Sequence, residues 1–420
     1  MHKQQIWVGL LDLDGPGEVR RVNGPLRAGH QQVKLLVRVH RAPIGYVRVP
    51  ALPVESLAQR ARAVAEHVLA GAMQQHMQRS HNPDTELIGP PRWTEVTSCP
   101  KRFPVGGEGM TVVICTHDRP EELHECLSAM QRCSYEPLEI LVVDNAPSAD
   151  DTRNLVCILA EADHRIRYTR EPARGLSRAR NHALVQARHE LVAFTDDDTL
   201  ADPAWPTALA AGFASDQDTL CVTGLVAANA LETSSERYFD ARYNGRQAFE
   251  PHRYDLSARP TMLYPYAAGI FGTGANFAVR RDEIVKLGGF DPLLGVGSPS
   301  RGGEDLDMFL RVILAGGRIS YVPSALIWHR HRASTPELRE QVYSYGHGLG
   351  AYLAKHVSSR ELRAALLVHG LGHIGLTIRT LYQAALGSQM GMRATRYALR
   401  EMRGVVVGAW SYWRAARKSA

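Results

Sequence analysis

Leu191-Val192-Ala193-Phe194-Thr195-Asp196-Asp197-Asp198 is the stretch on which the fold turns. A short apolar run bounded by polar residues forms a strand buried on both faces, and here three carboxylates follow it at once. Adjacent carboxylates repel one another, and at the rim of a low-dielectric sheet they cost stability unless a cation neutralises them. If the backbone stays extended, Asp196 and Asp198 point to one side and Asp197 to the other, so the outer two are the expected ligand pair. Hard oxygen ligands suit magnesium or manganese, which keep positions open for water and substrate phosphates. A solvated acidic turn is the plain alternative.

Upstream, Thr111–Cys115, Leu138–Val143 and Arg165–Tyr168 are similar runs, separated by helical patterns. Strands alternating with helices imply parallel pairing by right-handed crossovers, hence a doubly wound α/β sheet with helices on both faces. Ligands of such sheets sit beyond the carboxyl ends of the strands, so the residues just after each run are the ones to read for chemistry. After the first run comes Thr116-His117-Asp118-Arg119-Pro120, with Pro120 suited to a first helical turn. After the second comes Asp144-Asn145. Asp144 alone reads as a turn or cap residue, but its place on the rim favours nucleotide contact.

Downstream, Gly272-Thr273-Gly274-Ala275-Asn276 is small enough for backbone to approach a ligand, or for a tight start to a strand. Gly302-Gly303-Glu304-Asp305-Leu306-Asp307 then opens a helix running to about Gly316. Paired glycines make a hinge, and acidic residues in a first turn are favoured by the helix dipole. Capping explains one such carboxylate, whereas Glu304 and Asp305 in succession are candidates for catalysis. Arg318–Val322 is strand-like and precedes Ile327-Trp328-His329-Arg330-His331-Arg332, in which His329 could complete an Asp/His metal site and His331 reads as structural.

Taken in order, CTHDRP, VVDNAP, RGLSRARN, FTDDDT, GTGANFAVRR, GGFDP, GGEDLDMFLR and IWHRHR resemble the family 2 inverting glycosyltransferases, which have the GT-A fold, over about residues 110–332. The resemblance implies that Thr116, Arg119 and Asp144 line a nucleotide-base pocket and that Arg180 and Asn181 support the nucleotide site. It implies that Asp196 approaches the ribose or metal, Asp198 holds the metal, and His329 completes the metal or diphosphate site. Asp197, Gly274 and Asn276 join the expected nucleotide-sugar contacts, and Asp305, beside Glu304, looks like the catalytic base. The implied reaction moves a sugar from a nucleotide diphosphate to a hydroxyl acceptor, whether glycan, lipid-linked or small molecule. A carboxylate takes the acceptor proton during a single inverting displacement, and a manganese or magnesium ion stabilises the departing diphosphate.

Two rival readings stay open. A sugar-nucleotide-forming nucleotidyltransferase needs a glycine-rich basic loop after the first strand, and CTHDRP has no glycine. A non-catalytic glycan-binding module has no use for Asp305.

Residues 1–104 read as an accessory α+β unit and linker, 105–335 as the catalytic domain and 336–420 as a basic helical region. In the first, Val33–Val39, a Pro43-Ile44-Gly45 turn and Tyr46–Val49 suggest a β-hairpin, residues 55–79 a helix and the Pro-rich stretch 82–104 a linker. In the last, residues 355–420 hold 11 Lys/Arg against 2 Asp/Glu, which more than accounts for the net charge of +6 and leaves the chain before them slightly acidic. Leu367, Leu371, Ile374, Ile378 and Leu381 share a helical face, and Val406, Trp410 and Trp413 stand beside Arg414, Arg417 and Lys418. Such amphipathic helices suit peripheral contact with a membrane, or packing on the catalytic domain. His369 and His373 are four apart but lack a third ligand, so they read as a polar helix edge. No nucleic-acid motif accompanies the basic residues.

A hydrophobic fraction of 45% and a mean hydropathy of -0.23 predict a globular chain. The N-terminus lacks a signal-peptide pattern, and the uncharged run 364–378 is shorter than the ~20 residues that span a bilayer. Six scattered cysteines predict reduced thiols. A cytoplasmic protein with access to the inner face of the cell membrane is the resulting expectation.

Overall fold

Along the first catalytic strand, Met110, Val112 and Ile114 join one apolar cluster while Val113 joins another. That two-residue alternation is what a strand buried on both faces must show. In the computed structural model, residues 5–14, 18–80, 107–244, 248–258, 260–261, 263–360, 362–363 and 389–419 are described. The Pro-rich stretch 82–104, the run 364–378, the stripe from Leu367 to Leu381 and the pair His369 and His373 lie outside them.

The N-terminal segment contains β1 (Gln5–Asp12), β2 (Val19–Arg21), β3 (His30–Val39), β4 (Ala42–Pro50), α1 (Val54–Val68) and α2 (Ala70–Ser80). Then follow β5 (Met110–Thr116), α3 (Pro120–Met130), β6 (Leu138–Asn145), α4 (Asp151–Ala162), β7 (Ile166–Glu171), α5 (Leu176–Gln186), β8 (Leu191–Asp196) and β9 (Thr199–Ala201). Next come α6 (Trp205–Ala214), β10 (Thr219–Ala228), α7 (Ser234–Phe239), β11 (His252–Tyr254), β12 (Asn276–Arg280) and α8 (Arg281–Lys286). The chain continues through α9 (Glu304–Leu314), β13 (Arg318–His329), α10 (Thr335–His356) and α11 (Gln389–Ser419).

The large sheet has the order β11-β13-β10-β12-β8-β5-β6-β7, with β9 paired to β13. Parallel pairs β8·β5, β5·β6 and β6·β7 form one half, and β12 runs antiparallel between β8 and β10. Residues of α3, α4 and α6 cover one face and residues of α5, α8 and α9 the other, as a doubly wound sheet requires. All four apolar runs read from the sequence are strands of this sheet.

The N-terminal unit is more than the expected hairpin. β1 lies parallel to β3 and makes a four-stranded sheet, β2-β1-β3-β4. The turn is at His40-Arg41, both with positive φ (51° and 64°), and not at Pro43-Ile44-Gly45, which lies inside β4. Two positive-φ residues match the twist of the strands they join, and that geometry outweighs the Pro-Gly signal. The expected single helix is two, α1 and α2. One face of the sheet packs on its own helices. The other presents Ile6, Val8, Leu10 and Leu36 to Leu225, Ala227, Leu231, Leu326 and Trp328 of the large sheet's side.

Helices α10 and α11 pack with their backbones in contact. Gly346 and Gly350 face the carbonyls of Glu401 and Val405, and Gly404 and Gly408 face those of Tyr343 and His347, so a Cβ at any of the four would collide with main chain. Small residues spaced four apart on each helix create this seam. It turns the opposite face of α11 outward.

Candidate functional site

Strand register brings the polar rim together. Thr116 at the end of β5 lies beside Asp144 at the end of β6, and Cys115 lies beside Asp196 at the end of β8. The chain turns at Asp197-Asp198 and returns as β9, whose Thr199 pairs with His329 of β13. Arg330 N donates to the Asp198 carbonyl at 3.1 Å, closing that hairpin onto β13. In this way a local turn delivers Asp198 to a histidine far along the chain.

Asp196, Asp198 and His329 each offer a ligand atom, all within 4.8 Å of one another. His329 Nε2 is 3.3 Å from Asp198 Oδ1, and Arg332 Nη1 and Arg119 Nη2 approach Asp198 Oδ2 at 3.3 and 3.2 Å. Burial disfavours the Asp198 charge, but His329, Arg119 and Arg332 outweigh it and hold the carboxyl far below its ordinary range. Burial likewise works against a charged His329, and the Asp198 carboxylate overrides it and raises the imidazole. Asp196 shifts upward, through loss of solvent and the neighbouring Asp198 charge. Two carboxylates and an imidazole, one carboxylate still short of positive charge, fit a divalent cation with oxygen and nitrogen ligands.

Asp197 points the other way. It accepts from Thr116 Oγ1 at 2.8 Å and Arg119 Nη1 at 2.5 Å, and burial pushes its carboxyl up to about 7 against the pull of Arg119. Thr116 and Arg119 thus hold the acidic turn. Asp144 is fully buried: Oδ2 accepts from the Tyr168 hydroxyl at 2.8 Å, while Oδ1 has no partner among the described residues. A buried acceptor without a donor costs stability, so a ligand N–H fits there.

Arg180, on α5, is the hub between the acidic turn and α9. Its guanidinium sits 5.3–5.7 Å from the rings of Phe194, Phe277 and Phe290, donates to Glu304 Oε1 at 3.0 Å and to the Gly274 carbonyl at 2.8 Å, and lies 3.9 Å from Asp196. Glu304 is buried, and burial with the Asp305 charge lifts its carboxyl to about 7 despite Arg180. Gly303 precedes α9 in the left-handed region (φ 87°), a conformation that glycine adopts without strain. It swings Asp305 toward Gly274, whose N–H donates to Asp305 Oδ2 at 2.7 Å, while Leu306 N donates to Oδ1 at 2.9 Å. Asp305 is half-buried.

Two of the expected contact residues are engaged by the protein itself. Asn276 is 0% exposed; its Oδ1 accepts from Trp205 Nε1 and its Nδ2 donates to the Leu225 and Ala325 carbonyls. With every polar atom satisfied by protein, it clamps strands. Asn181 exchanges two hydrogen bonds of 2.7 Å with the Phe290 backbone, so its amide fixes the Gly289-Phe290 turn.

Sequence reading missed an aromatic group beside the cluster. Phe239 packs on His331 with ring centres 4.7 Å apart, Tyr243 on Phe239 at 4.8 Å and Tyr345 on Tyr243 at 5.3 Å. These residues come from α7, the π-helical turn Asp240–Asn244 and α10, and no spacing along the chain announces their meeting.

Residues 111–285 match the family model described as Glycosyl transferase family 2. The pre-mycofactocin glycosyltransferase of Mycobacterium tuberculosis is 25% identical over 327 residues, covering 74% of this chain. The chain spans 63% of the length of that relative. The succinoglycan biosynthesis protein ExoM of Rhizobium meliloti is 29% identical over 250 residues, 58% of this chain and 74% of that protein. Among solved structures, a mannosyltransferase from Pyrobaculum calidifontis in complex with GDP-Man and Mn2+ superposes with a TM-score of 0.50 at 18% identity, covering 72% of this chain and 87% of its own. That likeness gives the large sheet the GT-A fold.

Proposed function

We propose, from the match of residues 111–285 to the Glycosyl transferase family 2 model, that the protein is an inverting glycosyltransferase that moves a sugar from a nucleotide diphosphate to a hydroxyl acceptor. One observation carries the reading: Arg180 ties the Asp196 side of the acidic cluster to Gly274 and Glu304, and Gly274 in turn holds Asp305. A cation site and a candidate base thereby share one cleft.

Asp305 takes the acceptor proton. Two backbone N–H groups aim its carboxylate and leave lone pairs for the hydroxyl. Glu304 is held by Arg180, which leaves Asp305 to Gly274 and Leu306. Asp196, Asp198 and His329 would hold a manganese or magnesium ion, which supplies positive charge for the leaving diphosphate. Asp144 offers its unpaired oxygen to an N–H of the base, and Thr116 and Arg119 act by fixing the acidic turn. Arg332, beside Asp198, adds a second positive charge on the diphosphate side.

Melting-temperature screening of nucleotide sugars with and without Mn2+ identifies the donor, since a ligand that binds the native state raises apparent stability. Transfer by Asp305→Asn at the wild-type rate would end the assignment of the base.

The same reading divides the chain at 1–104, 105–335 and 336–420 and gives the last region peripheral contact with the inner face of the cell membrane. No helix among the described residues is long and apolar enough to cross a bilayer. What supports surface contact is α11, where Leu399, Met402, Val406, Trp410 and Trp413 are 47–72% exposed on one face. Arg396, Arg400, Arg403, Arg414 and Lys418 lie along one flank of that stripe. Vesicles containing phosphatidylglycerol should sediment the protein and neutral vesicles should not. Equal sedimentation of Val406→Asp would remove α11 as the contact.

A further inference from the structure

Tyr345 leaves 45% of its surface exposed although its ring is packed among aromatic neighbours. From it the contacts run inward: Tyr345 to Phe239 at 5.9 Å, Phe239 to His331 at 4.7 Å, His331 to His329 at 5.8 Å, and His329 to Asp198 at 3.3 Å. The exposed phenol is therefore the outer end of a wall whose inner end is the acidic cluster. Loss of solvent, then the charges of Asp196 and Asp305, raise the Tyr345 hydroxyl above its ordinary pKa, as a group on the cleft side of that wall should experience.

The wall is braced from two directions. Asp240 begins the π-helical turn between Phe239 and Tyr243, a backbone irregularity common at functional sites. Its Oδ2 meets Lys34 Nζ of β3 at 2.7 Å, with both side chains less than a tenth exposed. Lys34 also lies 4.2 Å over the Tyr46 ring of β4. From the other side, Glu401 of α11 pairs with Arg242 at 3.1 Å and accepts from the Tyr243 hydroxyl at 3.5 Å. A buried ion pair between the N-terminal sheet and an element beside the cleft is costly to desolvate. Here it fixes the one turn that carries Tyr243.

We propose that the exposed ring of Tyr345, propped edge-on by Tyr243 with their planes 84° apart, is a shelf on which a sugar ring of the acceptor lies, and that the N-terminal sheet holds this shelf at the cleft through Lys34 and Asp240. The inference rests on the glycosyl-transfer reading and adds the acceptor's class, a carbohydrate. Its chemistry is that of a ring face: the negative face of an aromatic ring attracts the polarised C–H edges of a pyranose, and a half-exposed tyrosine presents such a face at low entropic cost. Tyr345 is the binding residue; Tyr243, Lys34 and Asp240 are positioning residues.

The test is steady-state transfer from the nucleotide sugar chosen by thermal screening to octyl β-glucoside and octyl α-mannoside, with full-length protein. Tyr345→Ala should raise the KM for the glycoside about tenfold and change the donor KM by less than about twofold. Tyr345→Phe should restore the acceptor KM, because the ring and not the hydroxyl is what binds. Lys34→Met should reproduce the acceptor effect and Lys34→Arg should reverse it. If Lys34→Met fails to fold, the apolar pair Lys34→Met with Asp240→Leu takes its place.

An unchanged acceptor KM in Tyr345→Ala, an equal loss in Tyr345→Phe, or wild-type transfer to neither glycoside would overturn the shelf. A lowered melting temperature with an unchanged acceptor KM in Lys34→Met would overturn the brace. Absence of any nucleotide-sugar turnover by the wild type, even to water, would instead overturn the underlying transfer reading.

Discussion

Asp305 and Asp307 leave the first turn of α9 for two different surroundings. Asp307 is 0% exposed and meets Lys355 Nζ at 2.8 Å, His356 Nε2 at 2.9 Å and Arg311 Nη2 at 2.8 Å. Burial opposes its charge, but these three partners win and hold the carboxyl at about 2. Asp305 has only two backbone donors, and Asp196 has Arg180 no closer than 3.9 Å. Where the chain cancels a carboxylate's charge itself, the group is scaffold. Where it leaves the charge open at a cleft, the group is available to a proton or a cation. Both kinds sit in a first helical turn, so the helix dipole alone does not tell them apart.

The largest expected effect sharpens this contrast. Asp305→Asn should lower transfer about 10³-fold, the order of a positioned general base, with the melting curve unchanged. Asp307→Asn should do the reverse, removing about 3 kcal/mol of unfolding free energy by stranding Lys355 and Arg311, while the folded fraction keeps its kcat. Chemical denaturation beside kinetics reads both. A stable Asp307→Asn, or an unstable Asp305→Asn, would break the comparison.

A metal experiment comes next. At Mn2+ and nucleotide a hundredfold above their Kd, the wild type should gain about 2.7 kcal/mol of apparent stability, and Asp198→Asn should lose most of that gain. Persistence of the full Mn2+-dependent shift in Asp198→Asn would remove the acidic turn from the cation site.

The smallest effect is in pH. The Asp307 pKa is lowered on folding, so its stabilisation is complete above its unfolded value near 3.8 and is lost as pH falls toward about 2. Across that window the wild type should lose roughly 2 kcal/mol more than Asp307→Asn. Parallel acid profiles for the two proteins would contradict the pairing.

The strands of the parallel half were legible because continuous apolar runs with polar ends are rare outside buried sheets, and the acidic turn because like charges seldom stand together without cause. The protein partners of Asn276 and Asn181 were not legible for a physical reason. An amide beside glycines at a strand or helix start satisfies distant backbone as readily as a ligand, and those partners, Leu225, Ala325 and Phe290, are defined only by packing. β1 escaped notice since its pairing is parallel to β3 and its apolar residues serve two packing faces. The meeting of Lys34 with Asp240, 206 residues apart, and of Tyr345 with Tyr243 joins segments distant in the chain and leaves no periodic trace.

The glycine seam between α10 and α11 has a mutational signature of its own. With carbonyls seated in notches at 346, 350, 404 and 408, the two helices admit one axial alignment, like a key in a lock. Alanine, ordinarily the mildest replacement in a helix, should be among the worst tolerated there. A saturation library would thus reveal a hot strip of intolerance along this seam, marking the joint that sets the tilt of the C-terminal helix.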